Sequence, residues 1–496
     1  MRIKLVRIIL IIGLILNIIA WHKLWWIFMS QNSKQSIIET TKTTELTQKL
    51  PRGLAKLITI VIRQFETYEN DVTSTVESFI NAFPLITIII VCDELPYPPL
   101  DINTSNDTYK NVKLLNIQMD FNKSLDQRNP LNYIKTKYIL FIPDATKISS
   151  KQVLQEAMSK IEQFSIVTIP IGKKNQLDCL NFDLRIKEWS LKMTKISGGT
   201  NCDSVVGKHA TLISSEILKK LTNPFMLPFT DALYLQTKNA GLKIHLMKNH
   251  RLNDGKPIYR NQQYQLKNKK MYQQRERQMY VNFGIKKVTR SSGTIDWYGC
   301  SRETEKCFNS IVNNMPSYYY EKRLTPPCCL DGLRKVANHV FDNLDNTGIR
   351  YWLEGSSLLG AINNGDILPW DYKIEIGVNR DDLHRSPWIV KARNKPVSDD
   401  QGFIWQKATE GEFFKIQYSK INKLHVCLLP FYVKNGTMTR DSWFLKNRNF
   451  PEHYLHPMSS IEFAGRQIPS PNNVRNFLEI KYYKGIVENP EILWKI

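Results

Sequence analysis

The sequence predicts an α/β protein of two parts behind one apolar N-terminal segment. Three observations predict it. Short apolar runs alternate with helically spaced segments between residues 57 and 170; a second such alternation follows a cysteine cluster at 300–329; and a charge-flanked apolar stretch occupies residues 8–28. With 496 residues and 42% hydrophobic content, the chain can build two or three cores and is not a disordered polymer. Lys+Arg number 68 against 46 Asp+Glu, a formal net charge of +22. Such a balance suits nucleic acid, anionic membranes or phosphate-bearing substrates, and it also arises from ordinary solvated lysines. No zinc-finger, RNP or helix-turn-helix signature is present, which excludes the usual nucleic-acid modules.

Arg2, Lys4 and Arg7 precede the apolar stretch, and a Trp cluster closes it. A helix there spans roughly 30 Å of hydrocarbon if His22 and Lys23 snorkel. No small-residue cleavage site follows cleanly. The expectation is a cytosolic tail at 1–7, a signal anchor at 8–28 and a Ser/Thr-rich stalk at 29–50, giving a single-pass type II protein with its body in the lumen. Sequons at Asn103, Asn106, Asn122 and Asn435 agree with a glycosylated luminal body.

The first body, 51–290, is expected to carry strands at 57–63, 86–93, 138–144 and 164–170, with helices at 72–83 and 151–163, in a parallel sheet. It holds no Asp-x-Asp metal motif. Cys179 and Cys202 flank Trp189, and in an oxidising lumen they can form a disulfide worth about 3 kcal/mol. The basic run 267–287 reads as an exposed helix.

The second body, 291–496, opens on Cys300, Cys307, Cys328 and Cys329. Four thiolates satisfy a tetrahedral zinc site, and two disulfides are the rival; the spacing leaves both open. Leu330, Leu333, Val336, Val340 and Leu344 share a helix face that Gly348 can close. After a strand at 350–353, Gly355-Ser356-Ser357 marks a strand-to-helix turn whose amides and hydroxyls can meet phosphate oxygens. On the next strand, 371–376, period-two alternation sets Asp371, Lys373 and Glu375 on one face. Weaker candidates are Asp366, which can orient substrate, and Asn472 and Asn473, which can bond a base or ribose or else cap a helix. His425 beside Cys427 is a further candidate base, and Trp405, Phe413 and Phe414 read as core.

Several long motifs resemble the LicD/fukutin family, fukutin-related proteins in particular. They are Trp297-Tyr298-Gly299-Cys300, Tyr320 to Leu330, Tyr351 to Gly360, Gly365 to Tyr372, Phe450 to His453 and Pro471 to Glu479, with Leu95 to Leu100 in the first body. The resemblance implies a glycosyltransferase-A-like stem domain that oligomerises without catalysis. It also implies a nucleotidyltransferase-like α+β domain, with an inserted zinc loop in which all four cysteines bind a structural zinc. The implied activity is Golgi transfer of ribitol 5-phosphate from CDP-ribitol, releasing CMP, to a phosphorylated O-mannosyl glycan of a dystroglycan-like glycoprotein.

In the family the site strand carries Asp-x-Asp-x-Asp, with a further Asp on a later strand, and these hold Mg²⁺. Here only Asp371 and Glu375 remain as carboxylates. Lys373 stands at the middle position and Cys427 at the distant one. An ammonium 4 Å from a divalent ion implies roughly 8 kcal/mol of repulsion at an effective dielectric near 20, and a thiol is a poor ligand for a hard cation. Two outcomes follow: Lys373 pairs with the diphosphate in the metal's place, or the chain is a pseudoenzyme or scaffold that kept the fold and lost metal-dependent transfer.

Overall fold

The computed structural model describes residues 53–102, 107–172, 177–259, 261–299, 301–303, 311–312, 315–316, 318, 320–409, 411–440 and 449–490. The expected tail, anchor and stalk lie outside them, as do Asn103, Asn106, Cys300 and Cys307. Among the described residues no helix is long and apolar enough to cross a membrane. Packing divides the described residues into two compact units, those up to 177 with 205–225 and 242–264 against 178–204, 226–241 and those from 265 onward. Segments expected in the first body, 178–204, 226–241 and 265–290, thus pack with the second.

In the first unit, strands β1 (Ile58–Ile62), β2 (Thr87–Cys92), β3 (Val112–Asn116), β4 (Tyr138–Ile142), β5 (Ile166–Pro170), β6 (His209–Ser214) and β7 (Ile244–Leu246) form one sheet in the order β3-β2-β1-β4-β6-β5-β7. The expected strands are all present. The sheet is mixed rather than parallel, because β6 runs antiparallel to both β4 and β5. Alternate residues such as Ile60, Ile88 and Leu140 pack with Phe79 of helix α1 (Val72–Ala82) and Leu154 of helix α2 (Gln152–Ile161). Val61, Ile89 and Ile139, facing the other way, are also fully buried. Burial on both faces is why these strands read as continuous apolar runs.

Open α/β sheets bind ligands beyond the carboxyl ends of their strands. Here Arg63, Asp93 and Asp144, which stand at those ends, are tied within the chain. Arg63 donates to both Asp93 oxygens at 2.9 Å and to the Phe225 carbonyl. Asp144 accepts from the Asp71 and Ala145 amides.

In the second unit a hairpin, Asp178–Arg185 with Ser190–Ile196, is closed by the expected Cys179–Cys202 disulfide, with Cα atoms 5.3 Å apart. Trp189, buried at its tip, donates its indole N–H to the Leu324 carbonyl at 2.7 Å. The basic run lies mostly on helix α3 (Gln262–Asn282), largely exposed with Met279 and Tyr280 turned in, but Lys286 and Lys287 fall beyond its end, Lys287 in the strand Lys287–Thr289. Helix α4 (Pro327–Thr347) buries Leu333, Val336, Val340 and Leu344, and Gly348 closes it at φ 65°.

The following sheet runs β8 (Tyr351–Leu353), β9 (Lys373–Asn379), β13 (His425–Lys434), β12 (Phe414–Gln417), β11 (Ile404–Lys407), β10 (Val397–Ser398) in spatial order. Only β9 and β13 pair in parallel. Helix α5 (Gly355–Asn364) follows β8 directly, and helix α6 (Val474–Lys481) lies near the C-terminus. Trp352, Trp405, Phe431, Phe450 and Phe477 fill the core, so the expectation that Trp405 and Phe414 are core residues agrees with their burial.

Candidate functional site

The site forms where the β8–α5 turn meets the start of β9. Strand β9 begins at Lys373, two residues later than the alternation predicts. The Asp371 amide is spent on the Leu368 carbonyl at 2.9 Å, and the Asp371 carboxylate accepts from the Tyr372 amide, so Asp371 sits in a turn outside the ladder. It is nevertheless buried, and its Oδ2 has no hydrogen-bond partner. Burial lifts its pKa to about 6, against a hydrogen bond from Ser356 and the charge of Lys373, while Glu375 pushes the same way as burial.

The Gly-Ser-Ser turn lies against these groups, as expected. Ser356 bonds Asp371, and the Ser357 hydroxyl accepts from the Glu375 amide at 2.8 Å. Gly355 has φ +57°, and a Cβ there would stand 2.2 Å from Glu375 Oε2, so only glycine lets the turn approach that carboxylate. Gly377 serves the layer beneath: a Cβ would fall 2.3 Å from the Trp352 ring. That ring's N–H donates to Glu354 at 2.9 Å.

Lys373 Nζ lies 2.8 Å from Glu375 Oε1. Burial works to lower the ammonium's pKa, but the charge of Glu375, with Cys427 beside it, holds it above the ordinary lysine value. Register carries the row across the sheet: Glu375 pairs with Cys427 and Cys427 with Lys415, so the three share a face. Burial pushes the Cys427 thiol up to about 11, with Lys373, Lys415 and Arg440 pulling it down. His425, in register with Lys373, is driven to about 4 by burial. That value makes it a weak base, and its Nδ1 lies 3.0 Å from the Lys423 carbonyl.

These residues do not fit a divalent ion. Among the described residues no group of three His, Cys, Asp or Glu side chains converges to hold a metal. Asp371 offers a free oxygen, but an ammonium occupies the near side of Glu375, and the third position is a protonated thiol. In the zinc segment, Cys328 and Cys329 lie buried in the first turn of α4, while Cys300 and Cys307 lie outside the described residues.

The other candidates make contacts within the chain. Arg334 donates to both Asp366 oxygens at 2.6–3.1 Å, which turns Asp366 toward α4. Asn473 caps α6 through the Asn476 amide, and the Asn472 amide nitrogen donates to the His453 carbonyl at 2.7 Å. Asn122 and Asn435 are exposed, as glycosylation requires.

Lys481, Lys415 and Arg440 lie outside every motif, and Glu354 stands inside the Tyr351 to Gly360 block without a motif role of its own. Lys481 follows Phe477 and Leu478 at helical spacing, and Lys415 alternates with Phe414 and Ile416 along a strand. Those spacings are the signals that place them.

A Gly-Ser-Ser turn packed on a carboxylate-bearing strand defines the second unit as a nucleotidyltransferase-type domain. Residues 348–473 match the LicD/FKTN/FKRP nucleotidyltransferase domain, and residues 45–291 match the fukutin-related protein stem domain. The chain is 35% identical over 438 residues to mouse Ribitol 5-phosphate transferase FKRP and 34% identical to the human protein, covering 88% of both chains in each case. The chain belongs to the LicD/fukutin family, among the fukutin-related proteins. A solved mannosyltransferase, PcManGT from Pyrobaculum calidifontis, shares 11% identity over 46% of this chain and 62% of its own at a TM-score of 0.27, too low to relate the folds.

Proposed function

We propose that this protein transfers ribitol 5-phosphate from CDP-ribitol to a phosphorylated O-mannosyl glycan on a dystroglycan-like glycoprotein, releasing CMP. The likeness over 88% of both chains to Ribitol 5-phosphate transferase FKRP carries this reading. In the step, an acceptor hydroxyl oxygen bonds to the ribitol-phosphate phosphorus. The bridging P–O bond breaks, its electron pair leaves on CMP, and the hydroxyl proton passes to Asp371. Gly355 to Ser357 lie beside the phosphates, and Glu375 is held by the Ser357 hydroxyl at its amide. Transfer of this kind depends on positioning and charge neutralisation more than on covalent chemistry by the protein.

The wider reading places the chain as a single-pass Golgi membrane protein with a luminal body, assembled as a homo-oligomer through its stem domain. The stem's internally paired Arg63 and Asp93 support a structural rather than catalytic role there. Zinc at Cys300, Cys307, Cys328 and Cys329 belongs to the same reading and requires all four as thiolates; metal analysis together with thiol counting checks it.

The test of transfer is CMP release from CDP-ribitol by the purified full chain with a ribitol-phosphate-bearing glycan acceptor. Turnover that disappears in Asp371→Asn is expected. A wild-type chain that folds but releases no CMP under any condition would return the scaffold alternative.

A further inference from the structure

The sheet face that bears Glu375 and Cys427 carries its own cations. Lys373, Lys415 and Arg440 all act on Cys427, which is buried at the register position beside Glu375. Against these three positive groups stand two carboxylates, Asp371 and Glu375. A strand of three aspartates with a fourth beside it is strongly anionic and needs divalent cations before a diphosphate can approach. This face does not, and the Lys373 ammonium, held beside Glu375, repels a divalent ion placed next to it.

The ammonium is also fixed. Glu375 Oε1 holds it at 2.8 Å, and Glu375 is itself pinned through the Ser357 hydroxyl at its backbone amide. Lys373 remains about one-third exposed whereas Glu375 is buried, so the ammonium is the accessible end of the pair.

Resting on the transfer reading above, we propose that Lys373 replaces the divalent ion and that this chain binds a CDP-linked donor and transfers its alditol phosphate without magnesium. The ammonium, with three donors and one carboxylate partner, hydrogen-bonds the diphosphate oxygens. When the bridging P–O bond breaks, the electron pair leaves on CMP and Lys373 stabilises the new charge. The acceptor oxygen forms the new bond to phosphorus, and its proton goes to Asp371. No further reactant is needed. Cys427 fits this arrangement as a neutral neighbour, where an aspartate would compete with the phosphate for Lys373.

The experiment measures two quantities on the full chain in buffer stripped over chelating resin, with and without added magnesium: the affinity for CDP, and CMP release from CDP-ribitol. CDP affinity unchanged by magnesium, within a factor of about two, is expected, as is a loss of about tenfold or more in Lys373→Ala that magnesium does not restore. Lys373→Asp combined with Cys427→Asp is expected to make CDP binding depend on magnesium. Wild-type CDP binding that requires magnesium overturns the proposal, and needs no variant to be seen. Magnesium-independent CDP binding without CMP release sinks the transfer reading and the transfer step built on it, whereas magnesium-dependent CDP binding sinks the cation role of Lys373, so the two failures are separable.

Discussion

Lys481 at the end of α6 and Glu354 at the β8–α5 turn form an ion pair whose side chains are 2% and 1% exposed. The ammonium lies over three rings, 4.3 Å from the Phe450 and Phe477 centroids and 5.3 Å from that of Phe431. The Trp352 indole donates to the other Glu354 oxygen. A residue adjacent to Gly355 is therefore anchored in the core, and the turn that faces Glu375 inherits that position. Breaking such a pair strands a buried charge and costs about 3–5 kcal/mol. Lys481→Met is expected to lose stability of that order in urea denaturation, and pairing it with Glu354→Gln is expected to recover most of the loss. Equal instability in the double and single variants counts against the pair as the cause.

Gly355 tests the turn itself. Gly355→Ala places a methyl 2.2 Å from Glu375 Oε2 at a φ that alanine resists. CMP release is expected to fall at least about a hundredfold, since a displacement near 1 Å is enough for that, with a stability loss of about 1–3 kcal/mol. Activity within a few-fold of wild type would mean the close approach is dispensable.

Asp366 is the opposite case. Its bidentate bond to Arg334 is about one-third exposed on both sides, which limits its worth to about 1 kcal/mol. Asp366→Asn is expected to lower the denaturation midpoint slightly while leaving kcat/KM within about a factor of two. A large fall in kcat/KM at unchanged stability would restore Asp366 to the site.

His209, buried in β6, has its pKa driven down to about 4 by burial, and its Nδ1 sits 2.7 Å from the Gly207 carbonyl. The folded chain therefore favours the neutral ring. Its contribution is fully present above the unfolded value near 6.5 and is lost as pH falls from there toward 4, by about 3 kcal/mol. His209→Gln is expected to flatten stability against pH in that window, and an unchanged slope would assign the acid sensitivity elsewhere.

The Cys179–Cys202 disulfide spans a separation of 23 residues and ties the hairpin that carries Trp189. Replacing both cysteines by serine is expected to cost about 3 kcal/mol, read as a shift in denaturation midpoint. A shift near zero would show that the hairpin is held by the Trp189 contacts alone.

The sequence by itself determined several elements: four apolar strands of the first sheet, the helix ending at Gly348, and the Gly-Ser-Ser turn ahead of the site strand. Each is local, set by side-chain period, a left-handed glycine or a turn. It also determined that Lys373 and Cys427 break the family's carboxylate pattern. Only the tertiary structure decided where β6 inserts and in which direction, because strand pairing depends on distant partners that local spacing does not encode. It alone turned Asp366 toward Arg334, and it alone brought Lys415 and Arg440 around Cys427 and Lys481 under Glu354. Charge at a site is a sum over groups far apart in sequence, and folding is what sets the distances in that sum.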